Sequence, residues 1–318
     1  MNSKLFIDQK GRDHATAVKL NLDSVKSFFE NKGFLVHRLD QKRRNVYGKL
    51  EKNGKLKFLK LASTPGIGHR TSNETAFNQQ VLKVLPKGDW TVPEIVETGE
   101  YEGLYYYQSE FYDLPLLLET KTLPDKHFDQ CLSKLVRINN FLLNQNNFAL
   151  PRDDEHEGKP LANRIRLYYE RWEGFYSDVK EFNLKALLDI LKTIEKTFTK
   201  GLNHCDFTPW HMMQAPNQLV LFDGEHASNY NPRYYDVCYF YHRLYTGAKG
   251  VDSAKKYFNL FRDGLGSDEQ NKFDAAVKPI LAARIIGGFW DEKNTKDRTP
   301  DYSIHEQIKA EYFANKHY

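Results

Sequence analysis

Two aspartates in a stretch without helical periodicity are the residues best suited to chemistry. Asp206 lies in a loop, within the run from Asn203 to His211, and Asp223 directly follows the apolar segment 218–222. Phosphoryl transfer uses such a pair: one carboxylate orients the attacking hydroxyl and accepts its proton, and another holds the magnesium that bridges the nucleotide phosphates. The alternative is that each aspartate only caps a turn, as isolated loop aspartates usually do.

The spacing of neighbouring residues resembles a motif of the aminoglycoside phosphotransferase and choline kinase-like family, relatives of the protein kinases. That motif runs His-x-Asp-x-x-x-x-Asn and is followed by a strand and an Asp-x-Glu segment. His204 and Asp206 match its first two positions, and Pro209-Trp210 resembles the pair that precedes the Asn in many members. Asp223-Gly224-Glu225 matches the second element, and Asp236 matches an aspartate that follows a proline further on. The resemblance implies that Asp206 is the catalytic base, that His204 braces its loop and that Asp223 binds magnesium.

The resemblance extends upstream to a lysine on an apolar strand. Lys60 lies in Phe58-Leu-Lys-Leu61, where the family places its phosphate-binding lysine. A half-buried charge needs a partner, and Glu74 on the following helix is expected to supply it, as in the kinase lysine–glutamate pair. The alternative is a charge that protects an edge strand from aggregation. Lys57 is a nearby competitor, but strand alternation points it to the opposite face.

The aromatic run from Tyr105 to Phe111 resembles the strand that leads into the hinge between kinase lobes. By this resemblance, adenine would bind backbone groups near Gln108, Glu110 and Phe111. The alternative is simply a half-buried aromatic strand.

The sequence departs from the family pattern at two places. The turn that should cover the phosphates, residues 40–45, contains no glycine. Its basic residues 42–44 are expected to be a solvated turn or, alternatively, to contact phosphate by charge. Position 211 is His where the family has a metal-binding Asn. Because magnesium prefers oxygen and imidazole suits softer metals, a site with Asp223 and His211 would take Mg²⁺ or, alternatively, Mn²⁺.

The elements that must position these residues follow from periodicity and turn signals. Asn53-Gly54 between two β-like runs predicts a hairpin of residues 46–52 and 55–62. Further expectations are a helix capped by Asp23, a strand over 34–39, a loop over 65–68, a helix over 73–85 and strands over 92–98 and 104–111. Downstream, the pattern is mainly helical, with a helix starting at Pro124 and Asp125 and another over 184–198 closed by Gly201.

Composition excludes several classes of protein. The 318 residues carry 40% hydrophobic and 28% charged side chains, which is typical of a folded chain and long enough for two lobes. Three cysteines without a CxxC spacing argue against a zinc site or disulfide framework. No apolar run is long enough to span a bilayer and no secretory signal is visible, so we expect a soluble, cytoplasmic protein without membrane insertion. A net charge of +4 gives little support for the further alternative, a nucleic-acid-binding protein.

These observations predict an α+β, protein-kinase-like fold with two lobes. Residues 1–110 would form an N-terminal lobe with a small antiparallel sheet and one key helix, and residues 111–318 a mainly helical C-terminal lobe. The predicted function is ATP-dependent phosphorylation of a hydroxyl on a small molecule or saccharide. A catalytically impaired, nucleotide-binding pseudokinase or regulator is the alternative. The acidic run 153–157 either attracts a cationic acceptor or is a solvated loop. No motif identifies the acceptor or an oligomeric state.

Overall fold

A computed structural model describes residues 7–119, 126–296 and 298–316. The chain divides into two compact units, each made of three segments. The first comprises Met1–Pro115, Phe148–Glu157 and Met213–Ala227, and the second comprises Leu116–Asn147, Gly158–Met212 and Ser228–Tyr318. The continuous lobes predicted with a boundary after residue 110 stay a prediction.

The first unit is built on a five-stranded antiparallel sheet. Its strands are β1 (Leu35–Lys42), β2 (Asn45–Lys52), β3 (Lys55–Ala62), β5 (Ile95–Tyr101) and β6 (Leu104–Glu110). Their order in the sheet is β1-β2-β3-β6-β5. Two helices, α1 (Leu22–Asn31) and α2 (Pro65–Val84), belong to the same unit. A smaller sheet joins β4 (Trp90–Thr91), β9 (Leu219–Leu221) and β8 (Met212–Gln214).

The predicted hairpin is present because its turn chemistry is decisive. Asn53 and Gly54 both have positive φ, 53° and 71°, which asparagine and glycine tolerate best. The cap of α1 differs from the prediction. The side chain of Asn21, not of Asp23, accepts the N–H groups of the first turn, and Asp23 lies within that turn. Both residue types can cap a helix, so only the start of the apolar face could have distinguished them.

The prediction of a loop over residues 65–68, with a helix only from 73 to 85, is wrong about where α2 begins. Proline is favoured in the first helical turn, where its missing N–H has no bond to make. Thr64 caps the helix, because its hydroxyl accepts an N–H of that turn. Gly66 is needed for packing: a Cβ there would lie 2.0 Å from the carbonyl oxygen of Asp13.

The second unit is mainly helical, as predicted. Its helices are α3 (Lys126–Asp129), α4 (Leu132–Leu143), α5 (Leu161–Asp178), α6 (Lys185–Lys192), α7 (Tyr235–Thr246), α8 (Val251–Asp263), α9 (Ser267–Lys293) and α10 (Ser303–Phe313). The helix start predicted at Pro124 and Asp125 lies outside the described residues. The predicted helix over 184–198 is α6 followed by a short 3₁₀ turn, Thr193–Lys196.

Gly201 does not close that helix. It lies in β7 (Lys200–Asn203), which pairs antiparallel with β10 (Ser228–Pro232). A Cβ at Gly201 would lie 3.2 Å from the Cα of Arg233, so the glycine serves a close backbone approach. The α+β class predicted from the sequence is confirmed. Within the described residues, no helix is both long and apolar enough to cross a membrane.

Candidate active site

Lys60 on β3 is the centre of a buried charge cluster in the first unit. Its side chain is nearly enclosed, with 2% of the residue exposed. Its ammonium donates to three carboxylates: Glu74 at 2.7 Å, Asp223 at 2.9 Å and Glu225 at 2.9 Å. We call these four side chains the Lys60 cluster. A lone ammonium ion would be strongly destabilising at such a position, so the carboxylates are what allow Lys60 to be buried.

Helix α2 positions the carboxylates that come from the distant segment 223–227. Glu74 uses its second oxygen, Oε1, to accept the backbone N–H of Asp223 at 3.0 Å. Asn73 donates through Nδ2 to the carbonyl of Ala227 at 3.0 Å. Gly224 lies so close to Phe77 that a Cβ would meet its ring at 2.6 Å. One turn of α2 therefore fixes both the backbone and the charges of the Asp-Gly-Glu segment.

Arg44 extends this cluster to the glycine-free turn between β1 and β2. Its Nη2 donates to Oε1 of Glu225 at 2.7 Å, and its Nη1 donates to the carbonyl of His14 at 3.0 Å. The expectation of a solvated basic turn holds for Lys42 and Arg43, which are exposed, but not for Arg44. Arg43 takes the positive φ, 52°, that a glycine would adopt more easily. Arg44 thus ties this turn to Glu225 and to the backbone of His14.

The charges in this cluster shift one another's ionisation. Burial acts to lower the pKa of Lys60, but Asp223, Glu225 and Glu74 raise it well above its usual value. Burial raises the pKa of Glu74, and Lys60 offsets this only in part. For Glu225, burial also acts to raise the pKa, yet Lys60 and the neighbouring basic side chains hold it well below its usual range. The ammonium of Lys60 and the carboxylate of Glu225 therefore stay charged across ordinary pH.

Asp223 is the member of the cluster that fits a divalent metal ion. Its side chain is 28% exposed, whereas those of Glu74 and Glu225 are 4% exposed. Its backbone adopts the left-handed φ of 66°, two residues after the end of β9. Oδ1 contacts Lys60. A carboxylate oxygen of this kind is the ligand type that Mg²⁺ prefers, so the predicted donor fits the predicted ion.

Asp206 follows β7 in the second unit, in a loop held by hydrogen bonds to Asp236. The backbone N–H groups of His204 and Cys205 both donate to the Asp236 carboxylate, the latter at 2.8 Å. Cys205 has φ 68°, a backbone conformation that is strained for residues other than glycine or asparagine. The hydroxyl of Tyr239 donates to Oδ1 of Asp206 at 3.0 Å. Two residues of α7 thus set the loop's backbone and the orientation of its carboxylate.

Asp236 has an unusual ionisation for an aspartate. Burial raises its pKa to about 7, although the two N–H donors act in the opposite direction. Near neutral pH the group is therefore divided between its two protonation states. In either state, its carboxyl oxygens can accept from the loop backbone.

The two predicted histidines lie in the same loop region. His204 is fully buried, and its ring lies edge-on to Phe207 with centroids 6.4 Å apart. His211 ends a short 3₁₀ turn, Pro209–His211, and its Nδ1 donates to the carbonyl of Asp206 at 2.9 Å. Because a carbonyl only accepts, Nδ1 carries the proton and Nε2 holds the lone pair of the neutral ring. Only Nε2 is suited to bind a metal ion.

The residues predicted to contact adenine lie at the end of β6. Gln108 is buried within the sheet, paired in register with Leu59 and Glu97 on either side. The N–H of Glu110 donates to the carbonyl of Glu94 at 3.1 Å. Sheet pairing ends at Glu110, so the peptide groups from Phe111 onward are the first that the sheet does not use. The backbone contacts stay a prediction.

Sequence reasoning did not predict the contacts that three residues of this region make. Glu225 and Arg44 were visible only as parts of motifs, and their partners are 165 and 181 positions away in the chain. Tyr239 could have been found, because it follows Asp236 by three positions on a helix and so shares its face.

Asp154, in the acidic run 153–157, is neither free in solvent nor available to an external cation. Asp154 accepts a bidentate pair of hydrogen bonds from Arg12 at 2.8 and 2.7 Å, and Lys10 lies 2.9 Å from the same carboxylate. The bonds from Arg12 lower the pKa of Asp154 to about 2. This carboxylate is already committed to the N-terminal segment of its own unit.

The comparisons with known proteins find a match among solved structures but none among family models or curated proteins. No protein-family model matches the sequence, and neither does any curated protein. Solved structures do match. Aminoglycoside phosphotransferase APH(2")-IIIa, in a complex with GDP and kanamycin, gives a TM-score of 0.59 at 16% identity, covering 92% of this chain and 98% of that chain.

Two further structures give the same result. A thermostable mutant of aminoglycoside phosphotransferase APH(4)-Ia, in a ternary complex with ADP and hygromycin B, gives a TM-score of 0.57 at 14% identity, covering 92% of this chain and 97% of that chain. A putative aminoglycoside phosphotransferase from Ralstonia eutropha gives 0.51 at 14% identity, covering 87% and 100%. The predicted fold is therefore confirmed: the chain has the two-lobed, protein-kinase-like fold of the aminoglycoside phosphotransferases.

Proposed function

We propose that the protein is an ATP-dependent phosphotransferase that phosphorylates a hydroxyl of a small molecule or saccharide. The observation that carries the proposal is the Lys60 cluster. A buried lysine held by a glutamate of the following helix, beside an aspartate at the end of a strand, is the arrangement that phosphoryl transfer requires on the nucleotide side.

On the nucleotide side, Lys60 would contact the α- and β-phosphates, and Glu74 would keep its ammonium in place. Asp223 would hold the magnesium ion, with manganese as the other candidate. When bound, the ion would neutralise charge on the phosphate oxygens. The hinge contacts would come from the chain near Gln108, Glu110 and Phe111.

On the acceptor side, Asp206 would orient the substrate hydroxyl and accept its proton. Its Oδ1 accepts from the hydroxyl of Tyr239, which sets the orientation of the carboxylate. Asp236 would keep the loop in place through the backbone of His204 and Cys205. His204 would brace the loop from its buried position.

The structural neighbours support this class of reaction. Three of their structures contain ADP, GDP or AMP-PNP, and each of these three also contains an aminoglycoside, either hygromycin B or kanamycin. The neighbours therefore support a nucleotide and a small polyhydroxylated acceptor for this chain.

The second candidate function is a nucleotide-binding pseudokinase or regulator. The observation that favours it is Arg44, whose bonds to Glu225 and His14 fix the turn that should adapt to the phosphates. His211 at the position of the family's metal-binding Asn favours it as well.

Nucleotide consumption with Mg²⁺ or Mn²⁺ across a panel of hydroxylated acceptors tests the proposal. We expect at least one acceptor to stimulate ATP consumption and to become a phosphate monoester, seen by ³¹P NMR. ATP binding without stimulation by any acceptor, with either metal, would favour the pseudokinase.

A further inference from the structure

Arg284 on α9 is a buried cation that no anion contacts directly, although the charge of Asp291 acts on it from a distance. Only 6% of the residue is exposed, and no hydrogen bond or ion pair joins its guanidinium to any residue that the structure describes. Its Nε is fully enclosed and has no acceptor. Buried guanidinium groups are normally paired, because removing the charge from water is costly. The unpaired donors of Arg284 therefore indicate a site for a group that the protein alone does not supply.

Two aromatic rings hold the guanidinium in place. Its central carbon lies 4.3 Å from the ring centroid of Tyr239 and 5.2 Å from that of Trp172. The ring of Trp172 packs closely against Gly287, where a Cβ would lie 2.6 Å from it. Contact with ring faces stabilises a cation but accepts none of its in-plane N–H bonds. Arg284 is thus held in one position with its hydrogen-bonding capacity unused.

Tyr239 connects this cation to the proposed catalytic base. The ring that lies against Arg284 carries the hydroxyl that donates to Asp206. A group bound by Arg284 would therefore lie one tyrosine ring away from the carboxylate that receives the acceptor's proton. Another cation, Arg243, lies 5.1 Å from the ring centroid of Trp210 in the same unit. Arg243 is paired with Asp291 at 3.4 Å, so Arg284 is the cation of this region that has no carboxylate within ion-pair distance among the described residues.

We propose that Arg284 binds an oxyanion of the acceptor, a phosphate or a carboxylate, so that the substrate is an anionic alcohol such as a phosphorylated or carboxylated sugar. This inference rests on the proposed function for the role of Asp206. The planar guanidinium suits both oxyanions, because each offers two oxygens to its paired N–H donors. A polycationic acceptor would meet repulsion at the same place.

Steady-state kinetics with matched acceptors tests the inference. A neutral hexose, its phosphate ester, its uronic acid and its amino derivative differ mainly in charge. With the wild-type protein, we expect at least one of the two anionic acceptors to have a KM about tenfold or more below that of the neutral one. Arg284→Gln should abolish that preference, and Arg284→Lys should restore part of it, since it keeps the charge but loses the planar fork.

Arg171→Gln is the matched control. Arg171 also lies over Trp172, at 5.9 Å from its ring centroid, but it is exposed. We expect this variant to keep the wild-type preference. Equal KM values for neutral and anionic acceptors in the wild type would overturn the inference. So would an Arg284→Gln variant that loses activity equally with every acceptor, because that pattern indicates a purely structural role.

A binding measurement separates this inference from the proposed function. Inorganic phosphate, titrated at constant ionic strength, should raise the melting temperature of the wild type and of Arg171→Gln but not of Arg284→Gln. Phosphate binding through Arg284, without turnover of any acceptor, would leave the anion site standing and remove the kinase assignment. Turnover without an anion preference would support the kinase assignment and remove the anion site. Phosphate binding that is equal in all three proteins would contradict the anion site.

Discussion

The Lys60 cluster and the Asp206 loop orient carboxylates by opposite means. In the first unit, formal charges do this: one ammonium contacts three carboxylates, and Arg44 shares one of them. In the second unit, a tyrosine hydroxyl orients Asp206, and backbone N–H groups bound to Asp236 hold its loop. The proposed roles divide in the same way, with nucleotide binding in the first region and transfer of the acceptor's proton in the second.

The largest expected effect comes from Asp206→Asn, which removes the base but retains the shape of the side chain. We expect acceptor-dependent turnover to fall by about 10²- to 10⁴-fold, the range typical of a general base. The amide can still accept from Tyr239, so the melting temperature should change little. Near-normal turnover in this variant would show that the second region does not act on the acceptor.

Lys60→Ala should be strongly destabilising, since it leaves three buried or half-buried carboxylates without their shared cation. The loss of one partner from a buried ion pair typically costs about 3–5 kcal/mol. Lys57→Ala is the control on the same strand, and we expect a change below about 0.5 kcal/mol. Urea unfolding of the two variants gives the comparison. Equal losses would mean that the cluster does not depend on Lys60.

Asp236→Asn tests how the loop is held. With a pKa near 7 in the folded protein and about 4 in the unfolded chain, Asp236 binds a proton on folding between these values. Its contribution to stability is thus present at low pH and is lost as pH rises through about 7, by up to about 1.4 kcal/mol per pH unit. The stability advantage of the wild type over Asp236→Asn should therefore shrink between pH 5.5 and 8.

The exposed Asp263→Asn on α8 is the control for that series, and its difference from the wild type should not change in this way. Urea unfolding at the two pH values is the measurement. An advantage of the wild type over Asp236→Asn that grows with pH would mean that the loop N–H groups keep Asp236 ionised.

His211→Asn is expected to have the smallest effect. If Nε2 of His211 binds the metal, manganese should support turnover several-fold better than magnesium in the wild type, because imidazole suits the softer ion. The asparagine variant offers an oxygen instead and should shift the preference toward magnesium. An unchanged ratio of activities with the two ions would show that the second region contributes no metal ligand.

Local signals predicted much of the fold. The hairpin of β2 and β3 was predicted to within one residue, because Asn53 and Gly54 determine their own turn. The start of α2 was missed because Pro65 and the nearby glycines usually indicate loops. Here these residues begin a helix, because Thr64 caps it and Gly66 packs against the backbone of Asp13. Only the contact with Asp13 depends on tertiary structure.

Residues of the candidate site could be predicted where a known motif contains them. They could not be predicted where only packing determines their role. Lys60, Glu74 and Asp223 follow from the spacing of a known pattern. Arg44 does not, because its role depends on a glutamate 181 positions away. Arg284 carries no motif at all, and its interest arises only from burial without a partner.

The nucleotide affinities of Lys60→Ala and Asp206→Asn test most directly whether the first region binds the nucleotide and the second acts only on the acceptor. Calorimetric titration with a non-hydrolysable ATP analogue and Mg²⁺ gives both dissociation constants, with folding of each variant checked first by circular dichroism. The account predicts that Lys60→Ala weakens binding by about tenfold or more, since it removes a charge-assisted contact to phosphate. It predicts that Asp206→Asn stays within about twofold of the wild type. Equal weakening in both variants, or no weakening in Lys60→Ala, would contradict it.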